Sequence, residues 1–91
     1  MGGLRLTPDK FFWTKDGKGI KSLTELLNEL KIMPQETFYH HVSIGNNDFA
    51  NWIADVLQDS TTAKAIRGLK TKTEHIDVIS ALHKWRPARV K

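Results

Sequence analysis

Four histidines, His40, His41, His75 and His83, are the side chains in this chain best suited to acid–base or metal chemistry. On a helix, adjacent residues diverge by about 100°, so His40 and His41 do not readily share one ion. His75 and His83 stand eight positions apart, more than two helical turns, and cannot share a metal directly. No H-E-x-x-H motif or acidic loop supplements them, and the absence of cysteine removes both thiolate ligands and disulfides. No metal site and no cofactor are expected. His41 shares an apolar face with Phe38 and reads as a half-buried histidine hydrogen-bonded to the loop that follows.

The densest polar and aromatic cluster is Asn46-Asn47-Asp48-Phe49-Ala50-Asn51-Trp52. His41 and Asp48 could pair beside Trp52, with Ser43 close in sequence. An Asp–His pair lacking an assigned nucleophile is half a catalytic apparatus. The same residues have a structural role available. Asn47 can cap a helix, Asp48 complements the positive end of its dipole, and Phe49 and Trp52 fill a core. The structural role is preferred, and no catalytic residue is assigned.

Gly17-Lys18-Gly19-Ile20-Lys21-Ser22 superficially resembles a phosphate-binding loop. Such a loop places Gly directly before the Lys, where this chain has Ile20, and it follows a buried strand of a parallel sheet. Nucleotide hydrolysis is set aside.

Charge is the next signal. The chain carries +4 overall, unevenly distributed. Residues 60–91 hold eight basic side chains (Lys64, Arg67, Lys70, Lys72, Lys84, Arg86, Arg89 and Lys91) against Glu74 and Asp77. That surplus suits an anionic partner. As a helix-turn-helix, the last two helices fit poorly, because the recognition helix would present Glu74 and Asp77 to phosphates. Backbone-only contact through Lys64, Arg67, Lys70, Lys72, Arg86, Arg89 and Lys91 would be non-specific and salt-sensitive.

The elements that must position these residues follow from periodicity. Lys10–Thr14 is an aromatic strand, Asp16-Gly17-Lys18-Gly19 a turn, and Ile20-Lys21 the return strand. Ser22-Leu23-Thr24-Glu25 forms a capping box, with Glu25 reaching back to the Ser22 N–H. Leu23, Leu26, Leu27 and Leu30 then make one apolar stripe. Pro34 ends that helix and suits the first position of the next, whose inner face carries Phe38, His41 and Val42. Asn47 caps a third helix with Phe49, Trp52, Ile53, Val56 and Leu57 inward. Asp59 or Ser60 caps a fourth, carrying Ala63, Ile66 and Leu69, which Gly68 weakens. Thr73 caps a fifth, with Ile76, Ile79 and Leu82 inward, Val78 and Trp85 widening its apolar face, and Pro87 barring its continuation. The fold expected is mainly α: a compact bundle of about five short helices preceded by a small N-terminal β-hairpin. Residues 1–9 are expected as a flexible leading segment, 10–86 as one helical domain, and 87–91 as a basic tail.

The strings F-Y-H-H-V and N-D-F-A-N-W-I-A-D-V, with Phe11-Phe12-Trp13, Gly17 and the Ser22-Leu23 helix start, carry a family resemblance. Over about residues 10–70 the chain resembles a family of small uncharacterised prokaryotic, largely archaeal, domains of unknown function. The resemblance implies a shared fold and lends no chemistry. Its signature positions are His41, Asn47, Asp48 and Trp52, without an assigned role.

The sequence thus leads to a non-enzymatic binding or interaction module whose partner is another protein. The alternative is non-specific nucleic-acid or ribosome-associated binding through residues 60–91. No signal peptide, myristoylation motif or membrane-length apolar run is found, so a cytoplasmic protein with no membrane contact is expected. Oligomeric state is left unassigned.

Overall fold

The computed structural model describes residues 6–84. Trp85, Arg86, Pro87, Arg89 and Lys91, to which the sequence assigned core, binding and tail roles, lie outside the described residues.

Among the described residues, five helices stand behind an antiparallel two-stranded hairpin, as the sequence predicts. A single 3-10 turn over Pro8–Lys10 leads into β1 (Phe12–Trp13), which pairs with β2 (Gly19–Ile20). The Trp13 indole N–H donates to the Pro8 carbonyl at 3.0 Å, fastening the leading turn to the hairpin. Gly19 is needed for close approach: a Cβ there would lie 3.0 Å from the Trp13 ring and 3.1 Å from that of Phe11.

Helix α1 (Leu23–Ile32) begins at Ser22, whose hydroxyl accepts the Glu25 N–H at 3.1 Å. The Glu25 carboxylate takes the backbone N–H of Lys21 at 2.9 Å, one residue earlier than the capping box predicts. Leu26, Leu27 and Leu30 are buried. Pro34 takes the N-cap of α2 (Gln35–His41) rather than its first helical position, its ψ of 146° still extended.

The largest departure from the sequence reading comes next. Val42 is not part of α2. The chain leaves the helix at His41 and makes a second hairpin, β3 (Val42–Ser43) and β4 (Asn46–Asn47), turning at Ile44-Gly45. Gly45 has φ 78°, the left-handed region that favours glycine at the second turn position. With two residues a strand, alternation is too brief to register as a pattern.

Helix α3 (Asp48–Asp55) starts directly from β4, and α4 (Ser60–Arg67) is capped by Asp59, whose carboxylate accepts from the N–H and hydroxyl of Thr62. Gly68 ends α4, so Leu69 belongs to the following loop and not to a helical stripe. Helix α5 (Lys72–Lys84) is capped by Thr71 rather than Thr73. Thr71-Lys72-Thr73-Glu74 is a second capping box: Thr71 Oγ1 accepts the Glu74 N–H, and Glu74 takes the N–H groups of Thr71 and Lys70, each at 3.1 Å. These bonds hold the Glu74 carboxyl below its usual pKa.

The core is an aromatic column. Phe49 stands between Phe12 and Phe38, ring centroids 4.8 and 6.0 Å away, with the leucines of α1 and Ile53, Ile66 and Ile79 around it. Trp52 packs edge-on against Phe12, and its indole N–H donates to the Lys10 carbonyl at 2.8 Å. The first hairpin, marginal alone, is thereby tied to α3.

Candidate functional site

His41, Asn47 and Asp48 meet at the start of α3, and Trp52 lies a turn further along that helix. Asn47 is buried, and its amide is fully used. Its Oδ1 accepts the Ala50 N–H at 3.0 Å as the helix cap, while Nδ2 donates to the Ile66 carbonyl at 3.3 Å and to His75 Nε2 at 2.8 Å. One side chain therefore joins the base of the second hairpin, the end of α4 and the first turn of α5.

His75 is entirely buried, a placement the stripe Ile76–Ile79–Leu82 does not reveal. Its Nδ1 lies 2.7 Å from the Thr71 carbonyl, which can only accept, so Nδ1 carries the proton and Nε2 is the acceptor for Asn47. Burial pushes the His75 pKa below its ordinary value and keeps the ring neutral.

His41 repeats this pattern on the opposite side of the aromatic column. It lies edge-on to Phe12, centroids 4.9 Å apart, as His75 does to Phe38 at 5.0 Å. The Lys15 backbone N–H donates to His41 Nε2 at 3.0 Å, so the proton sits on Nδ1 and is donated to Asp48 Oδ2 at 3.1 Å. The other carboxylate oxygen of Asp48 accepts from Asn46 Nδ2 at 2.9 Å. His41 is thus buried rather than half-buried, and it is held on one side by the turn of the first hairpin and on the other by the first residue of α3.

This geometry brings together the Asp–His pair that the sequence raised as half a catalytic apparatus. A general base of that kind must offer Nε2 to a nucleophile. In this molecule Nε2 is occupied by the Lys15 N–H, and a proton there would break that bond. The pair links the turn of the first hairpin to the end of α2 and the first residue of α3. Among the described residues, every buried side-chain nitrogen or oxygen has a hydrogen-bond partner, and no three His, Asp or Glu side chains stand together as a metal site.

The basic residues do not form one row. Lys72 is half-buried, with its ammonium donating to the Met33 carbonyl at the end of α1. Arg67 is exposed and donates to Asn51 Oδ1 at 2.8 Å. Lys64 and Lys70 are exposed. By contrast, three lysines of the first hairpin region lie against carboxylates: Lys15 by Glu36, Lys18 by Glu29 and Lys21 by Glu25. Among the described residues, no carboxylate is within ion-pair distance of Lys64, Arg67 or Lys70.

Arg67 and Lys70 border a cleft of about 410 Å³ between the second hairpin and the loop joining α4 to α5. Tyr39, Val42, Ile44 and Leu69 give it an apolar lining. Ile44 at the turn is 99% exposed and Tyr39 is 48% exposed. Sequence reasoning found the two cations and missed the apolar partners. An isoleucine followed by glycine at a two-residue turn was the available signal, since apolar residues are not selected for turn geometry.

Family models, curated proteins and solved structures give no match to the chain. Among the described residues, no helix is long and apolar enough to cross a membrane.

Proposed function

We propose that this chain is a non-enzymatic interaction module that binds another protein through the cleft between the β3–β4 hairpin and the α4–α5 loop. The observation that carries this reading is the exposure of Ile44 and Tyr39 beside Arg67 and Lys70, in a concave site. An isoleucine bared at a turn contributes nothing to the core and is available to a partner. The polar cluster around His41, Asn47 and Asp48 is consumed in hydrogen bonds within the fold. His41, Asn47, Asp48 and Trp52 all make hydrogen bonds within the fold, which supports a structural role for them.

A photo-crosslinking amino acid at Ser43, an exposed cleft residue, tests the reading in cells. The control carries the same group at Ile32, which is exposed but lies outside the cleft. Discrete protein adducts at position 43 that vanish on Ile44→Ser are expected. Identical adducts at both positions, or none at 43, contradict the reading. Retention on DNA or RNA at low salt, lost on Arg67→Glu and Lys70→Glu, would instead favour nucleic-acid binding.

A further inference from the structure

We infer that the occupant of the cleft is an acidic peptide segment that inserts one large apolar side chain beside Ile44 and Tyr39 and sets its carboxylates against Arg67 and Lys70. The inference rests on the interaction-module reading and specifies its partner.

Charge gives the first half of the chemistry. Among the described residues, the cleft is lined by two cationic side chains and by no Asp or Glu. Glu74, the carboxylate nearest Arg67 and Lys70 in sequence, has its Oε1 occupied by the N–H groups of Lys70 and Thr71 at the start of α5. Arg67 projects from the last turn of α4, where helix carbonyls add no positive field, so its guanidinium and the Lys70 ammonium supply the attraction. Arg67 already donates one N–H to Asn51, which fixes its position while leaving further donors of the guanidinium for a carboxylate.

Shape and polarity give the second half. About 410 Å³ is well above the ~150 Å³ that accommodates a benzene ring in a protein cavity, so a whole aromatic or large aliphatic side chain fits. Tyr39 lines the cleft with an aromatic ring, and Ile44 and Leu69 line it with aliphatic side chains. The hairpin carrying Ile44 is anchored at its base through Asn47 to Ile66, one residue before Arg67. Both walls are consequently fixed relative to each other before a partner arrives, which lowers the ordering cost of binding.

The same features disfavour other occupants. A second copy placed cleft to cleft would set Arg67 and Lys70 against their own equals. A nucleic-acid backbone needs a run of cations, yet Lys72 is turned to the Met33 carbonyl and the cleft walls are apolar.

Selection from a library of random displayed peptides against the whole chain tests the inference, with a single-stranded oligonucleotide as a parallel probe. Enrichment of peptides that combine Asp or Glu with one Leu, Phe or Trp is expected. Their affinity should fall about tenfold or more on Ile44→Ser and again on Arg67→Glu with Lys70→Glu, as for anchor residues of an interface. All three residues are exposed, and circular dichroism checks that the variants fold. Neutral or basic selected peptides, no enrichment, equal binding to the variants, or preference for the oligonucleotide would overturn the inference. If crosslinking at Ser43 still yields specific protein adducts, the module reading stands while its acidic partner falls; loss of both results removes both.

Discussion

The β3–β4 hairpin sorts its residues in the reverse of the usual order. At its base the polar Asn47 is buried and spends its whole amide on α3, α4 and α5; at its tip Ile44 is almost fully bare. Buried polar groups are tolerated when every donor and acceptor is matched, and the His75–Asn47 and Lys15–His41–Asp48 contacts provide that matching. An exposed isoleucine needs no such compensation, because leaving it in water forgoes burial without stranding a polar group. The two ends thus teach different things. The base is where the fold is specified, and the tip is where the surface is available to something else.

Substitutions can break this contrast, beginning with the strongest. Phe49→Ala removes the middle ring of the aromatic column on which both histidines rest, and should lower unfolding free energy by about 3–5 kcal/mol in urea titration. Asn47→Ala removes the α3 cap and leaves His75 Nε2 without its donor. Cap loss and a stranded buried acceptor together predict about 2–4 kcal/mol, measured the same way.

Acid should act on the base selectively. The unfolded chain takes up a proton on His75 below about pH 6.5, whereas the folded chain resists it because the ring is buried. Stability contributed by neutral His75 is therefore present above that pH and is lost as pH falls below it. His75→Gln, which retains an acceptor for Asn47, should flatten the fall in unfolding midpoint over that range. A separate loss is expected lower down, in the carboxylate range, where Glu74, Asp16 and Asp9 are held below their usual pKa by hydrogen bonds. The smallest effect belongs to the tip: Ile44→Ser should change stability by less than about 0.5 kcal/mol.

Much of the base was legible in the chain. Ser22, Asn47 and Asp59 announce helix starts through side chains that cap by local hydrogen bonds, and local bonds leave local patterns. The Leu23–Leu30 stripe and the Phe49–Trp52–Ile53 stripe locate the core for the same reason. Thr71 was missed in favour of Thr73, although Thr71-x-x-Glu74 has the spacing of the Ser22-x-x-Glu25 box. The burial of His75 was not legible, because its partners, Asn47 and the carbonyl of Thr71, lie one far away and one in the backbone. Nor was the cleft, whose walls come from residues 39–45 and 67–70 and meet only in the folded molecule. Lys72 belonged to a basic stretch in sequence, yet its ammonium serves the end of α1.

The central claim is that the histidines at the base have both ring nitrogens engaged and hold the fold rather than react. Long-range proton–nitrogen NMR of the imidazoles at neutral pH tests it most directly. The account predicts that His41 and His75 are both neutral with the proton on Nδ1 and an unprotonated, hydrogen-bonded Nε2. A proton on Nε2 of His41, or a His41 ring exchanging freely between tautomers, would contradict it and return the Asp48–His41 pair to the list of reactive sites.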